Sequence, residues 1–252
     1  MSARDPNIPH PTDNNTTTRS TTGSAIDSKA DSATGLKTPS KNAVIIIKGQ
    51  DLPAPMEVGF TKEGIVFDKV QNQIDDFVVD FTTILNDNRI DYVIVSGYVA
   101  LLFGRSRSTE DVDLIMERLD QDKFSKLWDA MTARFWCLNS DDANDAHDML
   151  SEGCAIRLAN KNVAMPNMEL KFPKNDIDEW TLKNKKKVVM NGHGFFISPF
   201  EIQIAYKFEL GSEKDIEDAK YLYLIFKEQI DDALLQRFVA RFKVQDLMRR
   251  YL

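Results

Sequence analysis

The segment Val95–Met116, VSGYVALLFGRSRSTEDVDLIM, constrains this chain more than any other. DYVIV (91–95) reads as a buried strand, GYVALLFG as a short helix closed by Gly104, and DVDLIM (111–116) as the next strand. Side chains of a strand alternate between faces, so Asp111 and Asp113 project to one side about 6.5–7 Å apart. Two carboxylates that close repel, and each raises the other's pKa, unless a cation lies between them. A hard divalent ion such as Mg²⁺ or Mn²⁺ takes oxygen ligands and keeps waters and substrate phosphates in its other positions, so the pair suits such an ion. An Asp-x-Asp pair by itself also fits a solvated strand face. The added feature is Gly97, where a helix opens directly after a strand. Free backbone N–H groups and the positive end of a helix dipole then lie beside the carboxylates, as a phosphate cradle requires.

Residues 1–42 are rich in Ser, Thr, Asn, Asp and Pro, and a stretch such as TDNNTTTRSTTGS cannot bury enough surface to offset its ordering entropy. A disordered tail is expected there. AVIIIKG reads as a strand and GFTKEGIVF as a second extended segment, with LPAP as a connector. Val70, Ile74, Phe77, Val78, Phe81, Ile84 and Leu85 recur at three and four residues, which predicts an amphipathic helix from Asp68 to the NDN at 86–88. Helices are also expected around DKFSKLWDAMTARF and SDDANDAHDMLS, the latter capped by Ser140 or Asp141. CAIRL, NMELKF, KKVVM and FFIS read as strands, and everything after Pro199 as helix. The expectation is an α/β (α+β) fold: a tail over 1–42, a mixed sheet flanked by helices over 43–198, and a C-terminal helical part over 199–252.

The net charge is −7, and residues 1–42 hold five Lys/Arg against four Asp/Glu, so the acidity lies in the remainder. That argues against a protein that coats nucleic acid through a general basic field. Two basic clusters remain, Lys183–Lys187 and the set Arg237, Arg241, Lys243, Arg249 and Arg250, which read as local patches or as solvated faces. No apolar run approaches the roughly 18 residues that span a bilayer, and no signal-type apolar segment opens the chain. A cytoplasmic protein without a membrane partner is expected. Cys137 and Cys154 lack metal-like spacing and read as free core thiols. His10, His147 and His193 offer no pair for acid–base work, and neither a nucleophile elbow nor a Walker-type lysine loop is present.

The run SGYVALLFGRSRSTEDVDLIM resembles the signature of the polymerase-β-like nucleotidyltransferase superfamily, in its minimal and AbiEii-type branch, whose members often act as toxins of toxin–antitoxin pairs. Gly97, Gly104, Arg107, Thr109, Asp111 and Asp113 stand in register with that pattern. Ser96 replaces the first glycine of many members, and Tyr98 follows Gly97, adding bulk near the expected phosphates. The resemblance implies a third carboxylate on a neighbouring strand. Glu169 in NMELKF is the candidate, with Lys171 on the same side as a phosphate or structural partner; Glu169 also fits a half-exposed strand position, and Asp176 and Asp178 are alternatives. SPFEIQIAYKFELGSEKDIEDAKYL is similar to a second segment of these enzymes, which places Lys207, Lys214, Asp215 and Asp218, although GSE stands where members carry an Arg. Asp215, in the first turn of its helix, fits orienting Lys207 or capping the helix, and for Asp215 and Asp218 capping and surface roles fit as well as a role in the site.

The resemblance implies a nucleotidyltransferase-type fold and transfer of a nucleoside monophosphate from a nucleoside triphosphate to a hydroxyl, releasing pyrophosphate. Asp111, Asp113 and Glu169 would hold Mg²⁺ or Mn²⁺. Ser96 and Gly97 would cradle the triphosphate, Arg107 and Lys207 would balance its charge, and Thr109 would fix the loop. The implied acceptor is a tRNA, a protein or a small molecule, and the implied protein partner an antitoxin. The competing reading is a catalytically silent nucleotide sensor or protein-binding module on the same fold.

Overall fold

The computed structural model describes residues 43–48 and 54–252; the tail expected over 1–42 lies outside the described residues. The chain forms β1 (Ala43–Ile47), β2 (Met56–Thr61), β3 (Gly64–Phe67), α1 (Gln73–Asp87), β4 (Tyr92–Val95), α2 (Gly97–Leu102), β5 (Asp111–Met116), α3 (Gln121–Arg134) and β6 (Phe135–Cys137). It continues through α4 (Ala143–Ser151), β7 (Ile156–Asn160), β8 (Asn167–Lys171), α5 (Asp176–Lys183), β9 (Lys186–Met190), β10 (His193–Ile197), α6 (Phe200–Leu210), α7 (Glu213–Phe226), α8 (Asp232–Phe242) and α9 (Gln245–Tyr251). Among the described residues the strands form one mixed sheet in the order β1-β2-β3-β9-β10-β4-β5-β8-β7-β6. The fold is α/β, as the alternation of elements requires. No helix among the described residues is long and apolar enough to cross a membrane.

Alternation along the central strands sorts their side chains between two faces. Val112, Leu114 and Met116 of β5, Met168 and Leu170 of β8, and Ile156 and Leu158 of β7 join the main core with α1, α2, α3 and α6. The opposite face carries Asp113 and Ile115 of β5, Glu169 and Lys171 of β8, and Arg157 of β7. Among the described residues a small cluster, Val93, Ile115 and Leu182, closes over it, the last from α5. Helix α6 is buried almost all round, including Gln203 and Lys207, as a central helix must be.

Some elements differ from the sequence expectation. GFTKEGIVF is a hairpin, β2 paired antiparallel with β3, because Lys62 and Glu63 turn the chain. Helix α1 starts at Gln73 rather than Asp68: the Asn72 side chain accepts from the Asp75 N–H while the Asp75 carboxylate accepts from the Asn72 N–H. Val70, on the helical period, therefore lies outside the helix and is 75% exposed. Asp142, not Ser140 or Asp141, caps α4. Both cysteines are free as expected, but Cys154 is exposed and so is not a core thiol.

Candidate active site

The two strands that carry acidic residues, β5 and β8, run parallel with Asp113 opposite Glu169, Asp111 opposite Asn167 and Ile115 opposite Lys171. Period-two alternation thus puts the Asp111, Asp113 and Glu169 carboxylates on one face, as the sequence expects of a neighbouring-strand acid. The ammonium of Lys171 lies between two of them. Its Nζ is 2.9 Å from Asp113 Oδ1 and 2.7 Å from Glu169 Oε1. The Arg157 guanidinium takes the other Glu169 oxygen, with NH2 at 3.1 Å. Burial works to raise the pKa of Glu169, but the Lys171 hydrogen bond and charge, followed by those of Arg157, outweigh it and hold the carboxyl below its usual range. Burial likewise works to lower the pKa of Lys171, and the Asp113 charge with the Glu169 hydrogen bond raises it instead.

Asp111 stands exposed at the start of β5, where the Thr109 hydroxyl donates to its backbone carbonyl at 3.0 Å. The donor set is all oxygen, the kind a hard divalent ion takes. As they stand, however, Asp113 and Glu169 close on Lys171, and among the described residues no three His, Cys, Asp or Glu side chains converge on a common metal point. Of the alternative acids, Asp176 pairs with Arg241 on the first turn of α5, away from the set, while Asp178 lines the adjoining cavity.

That cavity, about 370 Å³, opens beside the carboxylates between β4, β5, α5 and α6. Its wall includes Ser96, Asp113, Lys171, Asn175, Gln203 and Tyr206, with Val95, Ile115 and Ile202 supplying apolar surface. Ser96 adopts φ 64 and ψ −134, a conformation free to glycine and strained for an L-residue. The buried Gln203 amide holds it there. Gln203 Oε1 accepts the Ser96 N–H at 3.2 Å and the Ser198 hydroxyl at 2.8 Å, while Gln203 Nε2 donates to the Ser96 carbonyl at 2.5 Å. This clamp was not legible in the sequence. Gln203 lies one turn before Lys207 on a helical pattern, with nothing local to mark it.

Gly97 opens α2, and a Cβ there would meet three guanidinium atoms of Arg107 at 3.0 Å. A side chain there would press the Arg107 guanidinium back by a few tenths of an ångström. Tyr98 corrects the expectation of bulk near the phosphates: it is fully buried and donates to Asp75 Oδ1 at 2.9 Å. Burial, reinforced by Asp75, drives its pKa well up.

Arg107 and Lys207, expected to balance triphosphate charge, are already engaged. Arg107 pairs with Asp218, Arg105 lies 2.6 Å from Asp218, and Lys207 lies 2.7 Å from Asp218 and 2.9 Å from Asp215. Asp218, for which a surface position was one expectation, is fully buried. Asp215 does lie in the first turn of α7, yet its carboxylate accepts from the Ser212 hydroxyl and Lys207 rather than capping the helix. Burial works to raise its pKa; the Ser212 and Lys207 hydrogen bonds outweigh this and lower it. Three cations against two carboxylates leave one excess positive charge beside Gly97. Lys214 is exposed on α7 and stands outside this network.

No protein-family model and no curated protein matches the chain. Among solved structures, an antigenic nucleotidyltransferase-like protein from Paracoccidioides brasiliensis is similar at 20% identity, over 69% of this chain and 89% of that one, with a TM-score of 0.44.

Proposed function

We propose that this chain is a metal-dependent nucleotidyltransferase of the minimal or AbiEii-type branch. It would move a nucleoside monophosphate from a nucleoside triphosphate to a hydroxyl of a tRNA, a protein or a small molecule. The observation that carries this reading is the parallel register of β5 and β8, which sets Asp113 against Glu169, with Asp111 on the same face, and Asp113 in the wall of a cavity of about 370 Å³. Asp111, Asp113 and Glu169 would hold Mg²⁺ or Mn²⁺. When bound, such an ion eases ionisation of the attacking hydroxyl and balances charge on the departing pyrophosphate.

The chain's own groups do the rest. The Gln203 clamp fixes the Ser96–Gly97 peptide at the cavity wall, so the backbone that meets the phosphates is preorganised. The excess positive charge of the Arg105, Arg107 and Lys207 network favours a triphosphate near Gly97. The acceptor hydroxyl gives up its proton to solvent, its oxygen bonds to the α-phosphorus, the bond from that phosphorus to the α–β bridging oxygen breaks, and pyrophosphate leaves. A role as the toxin of a toxin–antitoxin pair, in the cytoplasm, follows from the branch proposed.

Incubation with each labelled triphosphate, Mg²⁺ or Mn²⁺, total RNA and lysate tests this. Label should pass to one acceptor class and be lost in Asp111→Ala/Asp113→Ala; absence of label from the folded chain in every mixture would sink the reading. The Lys171 pairing favours a second reading, a silent nucleotide-binding module, because Asp113 and Glu169 are already neutralised. Calorimetry separates the two: triphosphate binding that does not need the metal, without any labelled product, would favour the module.

A further inference from the structure

The Asp113–Glu169 pair carries its own counter-ion. Opposed residues on neighbouring strands lie about 5 Å apart, so two ionised carboxylates there repel strongly without a cation. Lys171 supplies it from within the same strand as Glu169: two residues on, it returns to the same face, and its stem bends back to reach across to β5. Both Glu169 oxygens are thereby used, one by Lys171 and one by Arg157. An ammonium and a divalent cation cannot occupy this point together, since like charges a few ångströms apart repel too strongly. The three side chains are 15–27% exposed, so water and ions reach them, and Lys171 itself lines the cavity into which it could turn.

We propose that Lys171 is a displaceable counter-ion: it closes the metal-free carboxylate pair, yields that place to a divalent cation, and turns its ammonium into the adjoining cavity toward the substrate's phosphates. The inference rests on the metal-dependent reading above. It makes metal and triphosphate binding mutually reinforcing, because each favours the same position of Lys171, and such coupling is reciprocal.

Free Mn²⁺ measured by electron paramagnetic resonance, titrated against the full chain without nucleotide, tests it. Lys171→Met removes the competing charge and should bind Mn²⁺ tighter by on the order of tenfold, whereas Lys171→Arg, which keeps the charge, should not. Should Lys171→Met not fold, the unaltered chain gives the answer by NMR. The Lys171 ammonium signal, protected by two carboxylates, should vanish as Mg²⁺ is added, and its persistence at saturation would overturn the proposal. If the unaltered chain binds Mn²⁺ and Lys171→Met binds no tighter, the role of Lys171 fails while the metal reading stands. If neither chain binds Mn²⁺, both fail.

Discussion

Ser96 holds a backbone angle, φ 64, that costs an L-residue of order 1–3 kcal/mol. That strain persists because Gln203 bonds both the N–H and the carbonyl of the same residue, and Ser198 anchors Gln203 in turn. The resemblance expects glycine here, and glycine would take the angle without strain while losing some entropy in the unfolded chain. Ser96→Gly should therefore stabilise the fold by about 1 kcal/mol, read as a higher urea midpoint with unchanged slope. A lower midpoint would mean that the serine side chain makes a contact worth more than the backbone strain. The same clamp explains why the turn tolerates serine: the strained peptide is fixed by the Gln203 amide of α6, not by its own side chain.

At the scale of elements, what the sequence made legible follows from locality. The strand–helix–strand order around Gly97 and the shared face of Asp111 and Asp113 rest on contacts within a few residues, so periodicity reveals them. The placement of Glu169 beside β5 came from the resemblance rather than from periodicity, because period two gives NMELKF a face but not a partner strand. The ion network of α6 and α7 was not legible in this way, because Arg107 and Asp218 are 111 positions apart and only the packing of α2 against α7 brings them together. Lys207 and Asp215 could be placed on their helices and their pairing read as one alternative, but not their burial with Asp218, since a buried ion pair and a substrate-facing lysine have the same local pattern. The start of α1 was misplaced for the opposite reason: a local cap, Asn72 with Asp75, overrides a longer hydrophobic period. The network also makes a sharp stability prediction. Asp218 is fully buried against three cations, so Asp218→Asn leaves uncompensated positive charge inside the protein and should cost about 3–5 kcal/mol. Lys207→Met removes one of the three cations and leaves Asp218 two guanidinium partners, so it should cost clearly less. Chemical denaturation of the two variants checks the ordering, and a larger loss in Lys207→Met would show that Lys207, not Asp218, is the centre of the network.

Across the whole molecule, the sheet divides labour between its faces: one packs the main core, while the other leaves the charged set on β5, β7 and β8 open to water and to the cavity. Stability must then depend on pH through that charged face, and the sign follows from the shifts. Glu169 and Asp215 both titrate below their usual range in the folded chain. Each therefore contributes stability that is fully present above the unfolded carboxylate values, about 4. That contribution is lost as pH falls below about 4 and through the folded values. Lys171 is shifted upward, so its contribution is present below about 10.4 and is lost only as pH rises through its folded value. Unfolding free energy should thus hold steady through neutral pH and fall on the acid side as these carboxylates take up protons. Glu169→Gln removes one of them while keeping the side-chain shape. It should lower stability at pH 7, because Arg157 loses its carboxylate and Lys171 keeps only Asp113. It should also flatten the acid limb by up to one proton's worth of slope, about 1.4 kcal/mol per pH unit. Denaturant titrations at pH 7, 5, 4 and 3 on both chains measure this, and parallel acid limbs would show that the Glu169 pairing does not couple to folding.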